Sequence, residues 1–358
     1  MNIEKGMKEH KKISRRDFFR SAAAAGVSLA ISRLAAGESA QTTDELRVAL
    51  IGAGSQGRNL IINCLKIPSV RFAAVVDIWP YHQRYASNIL KKYKQQVNVY
   101  TDYREMLSSE SDLDAAIVAT PDWVHAEQTI ACLEAGLHVY CEKEMSNTIA
   151  GAASMVSAAR KTGKLLQIGH QRRSNPRYHH ALRLIEKDKL LGRITHAYGQ
   201  WNRARRLDLG WPRGQEIDNA TLKKCGYDTM ERFRNWRWYR KFSGGPIADL
   251  GSHQIDVFNW YIGAAPSTVQ ASGGVDHYEK VEWYDNIMAI YYWNVEASPV
   301  RGFYQQLNTT SHGGYYETIM GDEGSLDISE HPTFKCKIFR EPTAKKRQWE
   351  DEAAKVES

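Results

Sequence analysis

A run of six residues, Gly52-Ala53-Gly54-Ser55-Gln56-Gly57, stands between a short apolar, β-branched segment, Leu46 to Ile51, and a helical pattern from Arg58 to Lys66. Few local features restrict a fold as much as a strand that ends in such a turn and enters a helix at once. Gly52 permits the tight turn, Gly54 lets the backbone approach a pyrophosphate, and Gly57 allows the helix to pack on the strand. Ser55 and Gln56 complete the turn, where the N–H groups and partial positive charge of a helix N-terminus suit phosphate. Twenty residues after Gly57, Asp77 ends a second strand, Arg71 to Val76. A carboxylate there can accept from ribose hydroxyls. Two ordinary βα turns could produce the glycines alone; strand, helix and acid together point to a dinucleotide.

Asp77 also bears on which dinucleotide. A 2′-phosphate about 4 Å from a carboxylate would be repelled by several kcal/mol at an effective dielectric near 20, so NAD is favoured, while Arg58 beyond the glycines leaves NADP open. A third strand, Ala115 to Ala119, runs into Thr120-Pro121-Asp122-Trp123-Val124-His125, and a helix from about Ala126 to Ala135 ends at Gly136. A fourth strand, His138 to Cys141, ends at Glu142-Lys143-Glu144, and a helix leads on to Leu165-Leu166-Gln167-Ile168-Gly169. Strands alternating with helices imply a parallel sheet with ligands at the strand C-terminal ends. Thr120, Pro121, His125, Glu142 and Lys143 are therefore expected to share one crevice with the glycine turn.

The chain is long enough, at 358 residues, for two domains. Its 42% hydrophobic and 25% charged content excludes a disordered or collagen-like chain. The net charge of +7 is concentrated: residues 1–36 hold eight Lys/Arg against three Asp/Glu, contributing +5. With no basic helix or recognised binding motif, nucleic acid is not an expected partner. Five widely spaced cysteines, none in a CxxC pair, indicate neither a disulfide framework nor a zinc site. The basic N-terminus continues as Ser14-Arg15-Arg16-Asp17-Phe18-Phe19-Arg20, an apolar run Ser21 to Ser32, and small residues at Ala35-Ala36-Gly37. That order reads as an export signal, and the paired arginines resemble the twin-arginine signal for folded proteins. A basic amphipathic helix is the alternative. The apolar run is shorter than the roughly 20 residues of a spanning helix, so no permanent membrane anchor is expected. The expected location is the periplasm, with the signal cleaved.

These residues, together with Gly169-His170-Gln171-Arg172-Arg173 and Asp249-Leu250-Gly251-Ser252-His253, resemble the Gfo/Idh/MocA family of glucose–fructose oxidoreductases and inositol dehydrogenases over about residues 45–330. The resemblance implies an α/β fold with three regions: a signal over 1–40, an NAD(P)-binding Rossmann domain over 45–168, and over 169–358 an α/β domain. That last domain carries an open, mostly antiparallel sheet that binds substrate and joins subunits into a homodimer or homotetramer. It also implies catalytic roles for Lys143 beside the nicotinamide and for Asp249 and His253 at the substrate hydroxyl. One departure is visible: Glu144 stands where the family usually has proline, which should loosen the backbone after Lys143.

A base near neutrality suits hydride transfer from an alcohol. Asp249 and His253 are i and i+4 on a helix expected after Gly244-Gly245-Pro246, so the carboxylate can set the imidazole tautomer and raise its pKa to the ordinary value or above. Burial should lower the pKa of Lys143 enough for it to shuttle a proton. The same spacing also suits an exposed ion pair, or a metal stripe with Asp256; no metal is expected, since catalytic sites usually hold more histidine. Between residues 201 and 241, eleven Lys/Arg and four tryptophans face five acids. Trp201 and Trp236 could carry a pyranose ring or pack on their own domain, and Arg172, Arg203, Arg205, Arg206 and Arg213 could meet hydroxyls or a carboxylate. The readings are an exported oxidoreductase with tightly held NAD acting on a sugar or glycoside, a redox-neutral glycoside hydrolase using the same cofactor, or a non-catalytic dinucleotide- or sugar-binding protein.

Overall fold

The computed structural model describes residues 45–204, 209–296 and 298–345. The expected export signal, Arg205, Arg206 and the last thirteen residues lie outside them. Six parallel strands, β1 (Leu46–Ile51), β2 (Val70–Val76), β3 (Asn98–Tyr100), β4 (Ala115–Val118), β5 (His138–Cys141) and β6 (Leu166–Ile168), lie in the order β3-β2-β1-β4-β5-β6. Helices cover both faces, which is why β1 and β2 read as continuous apolar runs. The order reverses between β1 and β4, opening a crevice at their C-terminal ends.

The turn after β1 follows the glycine logic. Gly52 has φ +94°, and a Cβ there would lie 2.6–2.7 Å from Ala119 and Thr120 backbone atoms; one on Gly57 would lie 2.0 Å from the Gly52 carbonyl oxygen. Gly57→Ala is therefore expected to cost about 1–3 kcal/mol, read as a lower urea midpoint. An unchanged midpoint would show that helix and turn are not in contact. Gly54 differs, its Cβ meeting only His82 Cε1 at 3.9 Å.

The second sheet has seven strands, β7 (Ile194–Asn202), β8 (Thr268–Gly274), β9 (Asn286–Trp293), β10 (Val300–Leu307), β11 (Tyr315–Gly321), β12 (Gly324–Ile328) and β13 (Lys337–Arg340), ordered β13-β12-β11-β7-β10-β9-β8. Only β7 and β10 pair in parallel. Its inner residues, among them Tyr304 and Trp293, pack against Tyr178 and Phe258 of the helices Pro176–Glu186 and Ser252–Ile262. The other face presents Tyr198, Phe303, Met288 and Ile290, with Tyr198 stacked on Phe303 at 5.9 Å.

Residues 209–242 are not a plain loop. They hold the short helices Asn219–Lys224 and Met230–Arg234, and bring Leu222, Tyr227, Met230, Trp238 and Phe242 against Trp79 of the first domain. Trp123 Nε1 donates to Tyr227 Oη at 3.0 Å.

Candidate active site

The dinucleotide crevice is a cavity of about 430 Å³ lined by Gly52, Gly54, Asp77, Thr120 and Pro121, and closed on its far side by Gly226, Tyr227 and Phe233 of the 209–242 excursion. Asp77 is set by its neighbours: Oδ2 accepts from Ala53 N and Oδ1 from Trp79 N, each at 2.8 Å. Arg58, the residue that left NADP open, donates through Nη1 to the Ala53 carbonyl at 2.7 Å and lies over Tyr85. Ser55 starts the helix with no side-chain cap, leaving its first N–H groups for an anion. Gln56 Nε2 donates to Glu142 Oε1 at 3.0 Å, so Glu142 fastens the strand end to the glycine turn.

His125 was expected in the crevice, but both ring nitrogens lie on carbonyls, 2.6 Å from Glu144 O and 2.8 Å from Thr120 O, and the residue is buried. It ties the loop after β4 to the loop after β5 and does not reach a ligand. The backbone after Lys143 is accordingly not loose. Ser252 Oγ also donates to Glu144 Oε1 at 2.8 Å.

Lys143 is nearly buried. Its Nζ lies 3.2 Å from Asp249 Oδ1 and 3.4 Å from Glu144 Oε1, and also donates to the Asp249 carbonyl. Burial pulls its pKa down, but Asp249 and Glu144 outweigh that and hold it above the ordinary value. This corrects the expected proton shuttle: the group stays an ammonium. Asp249 accepts in turn from Arg237 Nε at 2.9 Å. Burial opposes its ionisation, yet Arg237 and Lys143 keep its carboxyl far below the usual range.

The helix carrying Asp249 opens with a π turn, Ile247–Gly251, before the α-helix from Ser252. The Asp249 carboxylate is spent on Lys143 and Arg237 and makes no hydrogen bond to His253 among the described residues. His253 makes no hydrogen bond among the described residues. Burial, then the Lys143 and Arg172 cations, push its pKa well below 6.5, against the smaller pull of Asp249. Its expected pKa at or above the ordinary value is therefore corrected. Asp256 accepts from Arg173 Nε at 2.8 Å.

Of the three expected sugar contacts, Arg172 and Trp201 are buried and Trp236 is half-buried. Arg172 is 1% exposed, donating to Glu317 and, at 3.3 Å, to Glu330. Trp236 packs on the aromatic cluster, with the Arg237 guanidinium 4.2 Å from its ring. Trp201 is 7% exposed, with Tyr315 stacked on it at 4.4 Å. It offers no open face to a pyranose, but stands 5.4 Å from His253 and forms the side of its pocket.

Sequence reasoning missed Arg237 and Ser252, which carry no distinguishing spacing, and Asp122, which sits inside the segment after β4. Asp122 is 2% exposed with Oδ1 unpartnered. Burial, then the nearby Glu144 carboxylate, push its pKa up to about 7. A carboxyl raised in the fold binds a proton there that the unfolded chain has lost, so its destabilising effect appears as pH rises from about 4 through 7. Asp122→Asn is expected to raise stability by about 1–3 kcal/mol at pH 8 and not at pH 4. Equal urea midpoints for the two proteins at pH 8 would refute this.

Residues 46–170 match the profile described as "Oxidoreductase family, NAD-binding Rossmann fold", and residues 178–327 match "GFO/IDH/MocA C-terminal domain". The chain is 33% identical to the inositol 2-dehydrogenase/D-chiro-inositol 3-dehydrogenase of Shouchella clausii over 61% of its own length and 53% of that protein's. It is 30% identical to the D-glucoside 3-dehydrogenase of Escherichia coli over 63% and 56%. It thus spans little more than half of these relatives. Among solved structures, the WlbA dehydrogenase from Chromobacterium violaceum, in complex with NADH and UDP-GlcNAcA, superposes with a TM-score of 0.67 at 23% identity, covering 88% of this chain and 82% of that one.

Proposed function

Since the chain belongs to the Gfo/Idh/MocA oxidoreductase family, we propose that it is an exported, NAD-dependent enzyme that oxidises a secondary hydroxyl of a sugar or glycoside. The observation that carries this reading is the convergence of a permanently charged Lys143, clamped between Asp249 and Glu144, with a neutral His253 on the same helical segment as Asp249. The inositol and glucoside dehydrogenases among its relatives support the substrate class.

The crevice fits a dinucleotide: its glycines leave no room for side chains at Gly52 and Gly57, and at Gly54 a Cβ would touch only His82 and otherwise take the space beside the crevice. Gly52, Gly54 and the helix N-terminus would hold the pyrophosphate, and Asp77 the adenosine ribose. Nicotinamide, when bound, accepts a hydride. His253 takes the hydroxyl proton at a free ring nitrogen, and the Lys143 ammonium stabilises negative charge developing on that oxygen. Asp249 and Arg237 hold Lys143 in place, and Trp201 keeps water from one side of the imidazole.

Gently denatured protein should release NAD to mass spectrometry, and a panel of sugars and glycosides should yield keto-sugar. No dinucleotide and no measurable affinity for one would end this reading. Free sugar released from an aryl glycoside without net reduction would replace it by the redox-neutral hydrolase. Because His253 must be neutral to act and its pKa is depressed, kcat/KM should hold constant down through pH 6.5 and fall only below it. An acid limb at or above pH 6.5 would exclude His253 as the base. Export is proposed from the twin-arginine pattern alone. The aromatic outer face of the second sheet is proposed to meet a second copy; a monomer in light scattering would refute that.

A further inference from the structure

His253 is buried, so a proton that it takes from a hydroxyl has to be handed on before the next substrate is oxidised. The charged and titratable groups that act on it most strongly are, in order, Lys143, Arg172, Asp249 and His170. Lys143 and Arg172 are already cations, and the Asp249 carboxylate is held by Lys143 and Arg237. That leaves His170, whose imidazole can accept a proton at one ring nitrogen and donate one from the other.

The fold brings His170 to the same helix face as His253. Gly169, where a Cβ would lie 2.5 Å from Tyr140 Oη, lets the chain leave β6 close against β5, and the turn Gln171–Ser174 then packs on the helix Ser252–Ile262. There His170 Nδ1 stands 3.9 Å from Asp256 Oδ2, and Asp256 lies three residues beyond His253, a neighbour on one helix face. Arg173 fixes Asp256 with two bonds, from Nε and Nη2, each at 2.8 Å. The ring of His170 is also divided in its surroundings. Nδ1 is buried with no hydrogen-bond partner among the described residues, yet the side chain as a whole is 28% exposed, against 7% for His253. Buried ring nitrogens are normally satisfied, so one left open beside a carboxylate calls for a role. A ring closed at one nitrogen and open to solvent elsewhere suits a proton that is leaving a buried imidazole.

Resting on the oxidoreductase reading, we propose that His170 carries the substrate proton from His253 to solvent. Oxidation breaks the C–H and O–H bonds of the alcohol: the hydride leaves with its electron pair to NAD, giving NADH, and the hydroxyl proton goes to His253, leaving a ketone. His253 hands that proton to His170 and regains its free nitrogen. His170 releases it to water, and the Asp256 carboxylate steadies the imidazolium in between. His170 takes no part in the hydride step.

Stopped-flow mixing of the purified full chain, loaded with NAD, with each sugar of the panel in weak buffer reads both products of one turnover: NADH by its absorbance, and protons by phenol red. In wild type the two signals should rise together. His170→Ala should form NADH at the wild-type rate while proton release lags about tenfold or more, and small amounts of imidazole, calibrated for their buffering, should close the lag. His170→Gln, polar but unable to carry a proton, should show the same lag, and NADH formation checks that each variant is folded. Protons released in step with NADH in the variants overturn the relay. So does a lag that imidazole leaves unchanged, or a slowing of NADH and protons together, which would make His170 a structural residue. Wild type that forms no NADH with any sugar overturns the oxidoreductase reading and the relay with it, whereas NADH from wild type beside variants without a lag overturns the relay alone.

Discussion

Lys143→Ala is expected to lower kcat by about a hundredfold or more while the protein still binds NAD. A preorganised charge aimed at a developing oxyanion typically contributes that much. The ammonium cannot be replaced from the surroundings, because Arg237, the nearest other cation, is already committed to Asp249 Oδ2. The variant should carry a second signature. Lys143 is the largest charge depressing His253, so its loss lets the imidazole pKa rise and moves the acid limb of the residual activity upward in pH. Single-turnover rates against pH in wild type and variant measure both effects. A loss of less than tenfold, or an unmoved limb, would mean that the ammonium does not face the reacting oxygen. Lys143→Met, closer in length, separates lost charge from lost packing.

Glu317→Ala should produce the largest loss of stability, about 3–5 kcal/mol, because it strands a buried cation. Glu317 is wholly buried on β11, accepting from Arg172 on one oxygen and from Tyr178 Oη at 2.7 Å on the other. Burial raises its pKa above the ordinary carboxylate value, and the Arg172 guanidinium and the Tyr178 hydroxyl offset that only in part. Thermal or urea unfolding gives the loss, and a variant within 1 kcal/mol of wild type would contradict the buried pair. Replacing Arg172 and Glu317 together by Met and Leu should recover much of it, since a buried pair is often no better than a well-packed apolar couple. The same double change would raise the pKa of His253, which Arg172 helps to depress.

The first domain was legible because its central strands are buried on both faces and end at glycine or a polar crevice residue. Hence β4 and β5 lie within a residue of where the apolar runs place them. The three residues of β3 are too few to show a pattern, and β7 is obscured because His196, Tyr198 and Gln200 alternate onto the uncovered face. At the site, residue types and neighbourhood along the chain pointed to Lys143, Asp249 and His253, but not to their partners. Spacing puts Asp249 and His253 four residues apart but does not show that Lys143 and Arg237 take up the carboxylate. The pKa of His253 was misjudged for the same reason: the groups that set it, Lys143 and Arg172, come from the other domain and from another helix. Arg172 and Trp201 show the limit of composition, since a buried arginine and a packed tryptophan are spelled like ligand-binding ones.

The excursion over 209–242 spans the crevice that Gly54 and Asp77 border, and its own aromatic packing rests on Trp79 and Trp123 of the first domain. Occupancy of that crevice and the folding of the excursion are therefore thermodynamically linked, and linkage is reciprocal: whatever free energy a ligand lends to closure, closure returns to the ligand. A protease that cuts within 209–242 thus becomes a gauge of occupancy. Protection of those bonds should rise with added NAD along the same isotherm as the rise in melting temperature. Loosening the clasp, as in Tyr227→Ala, should speed dissociation far more than it slows association.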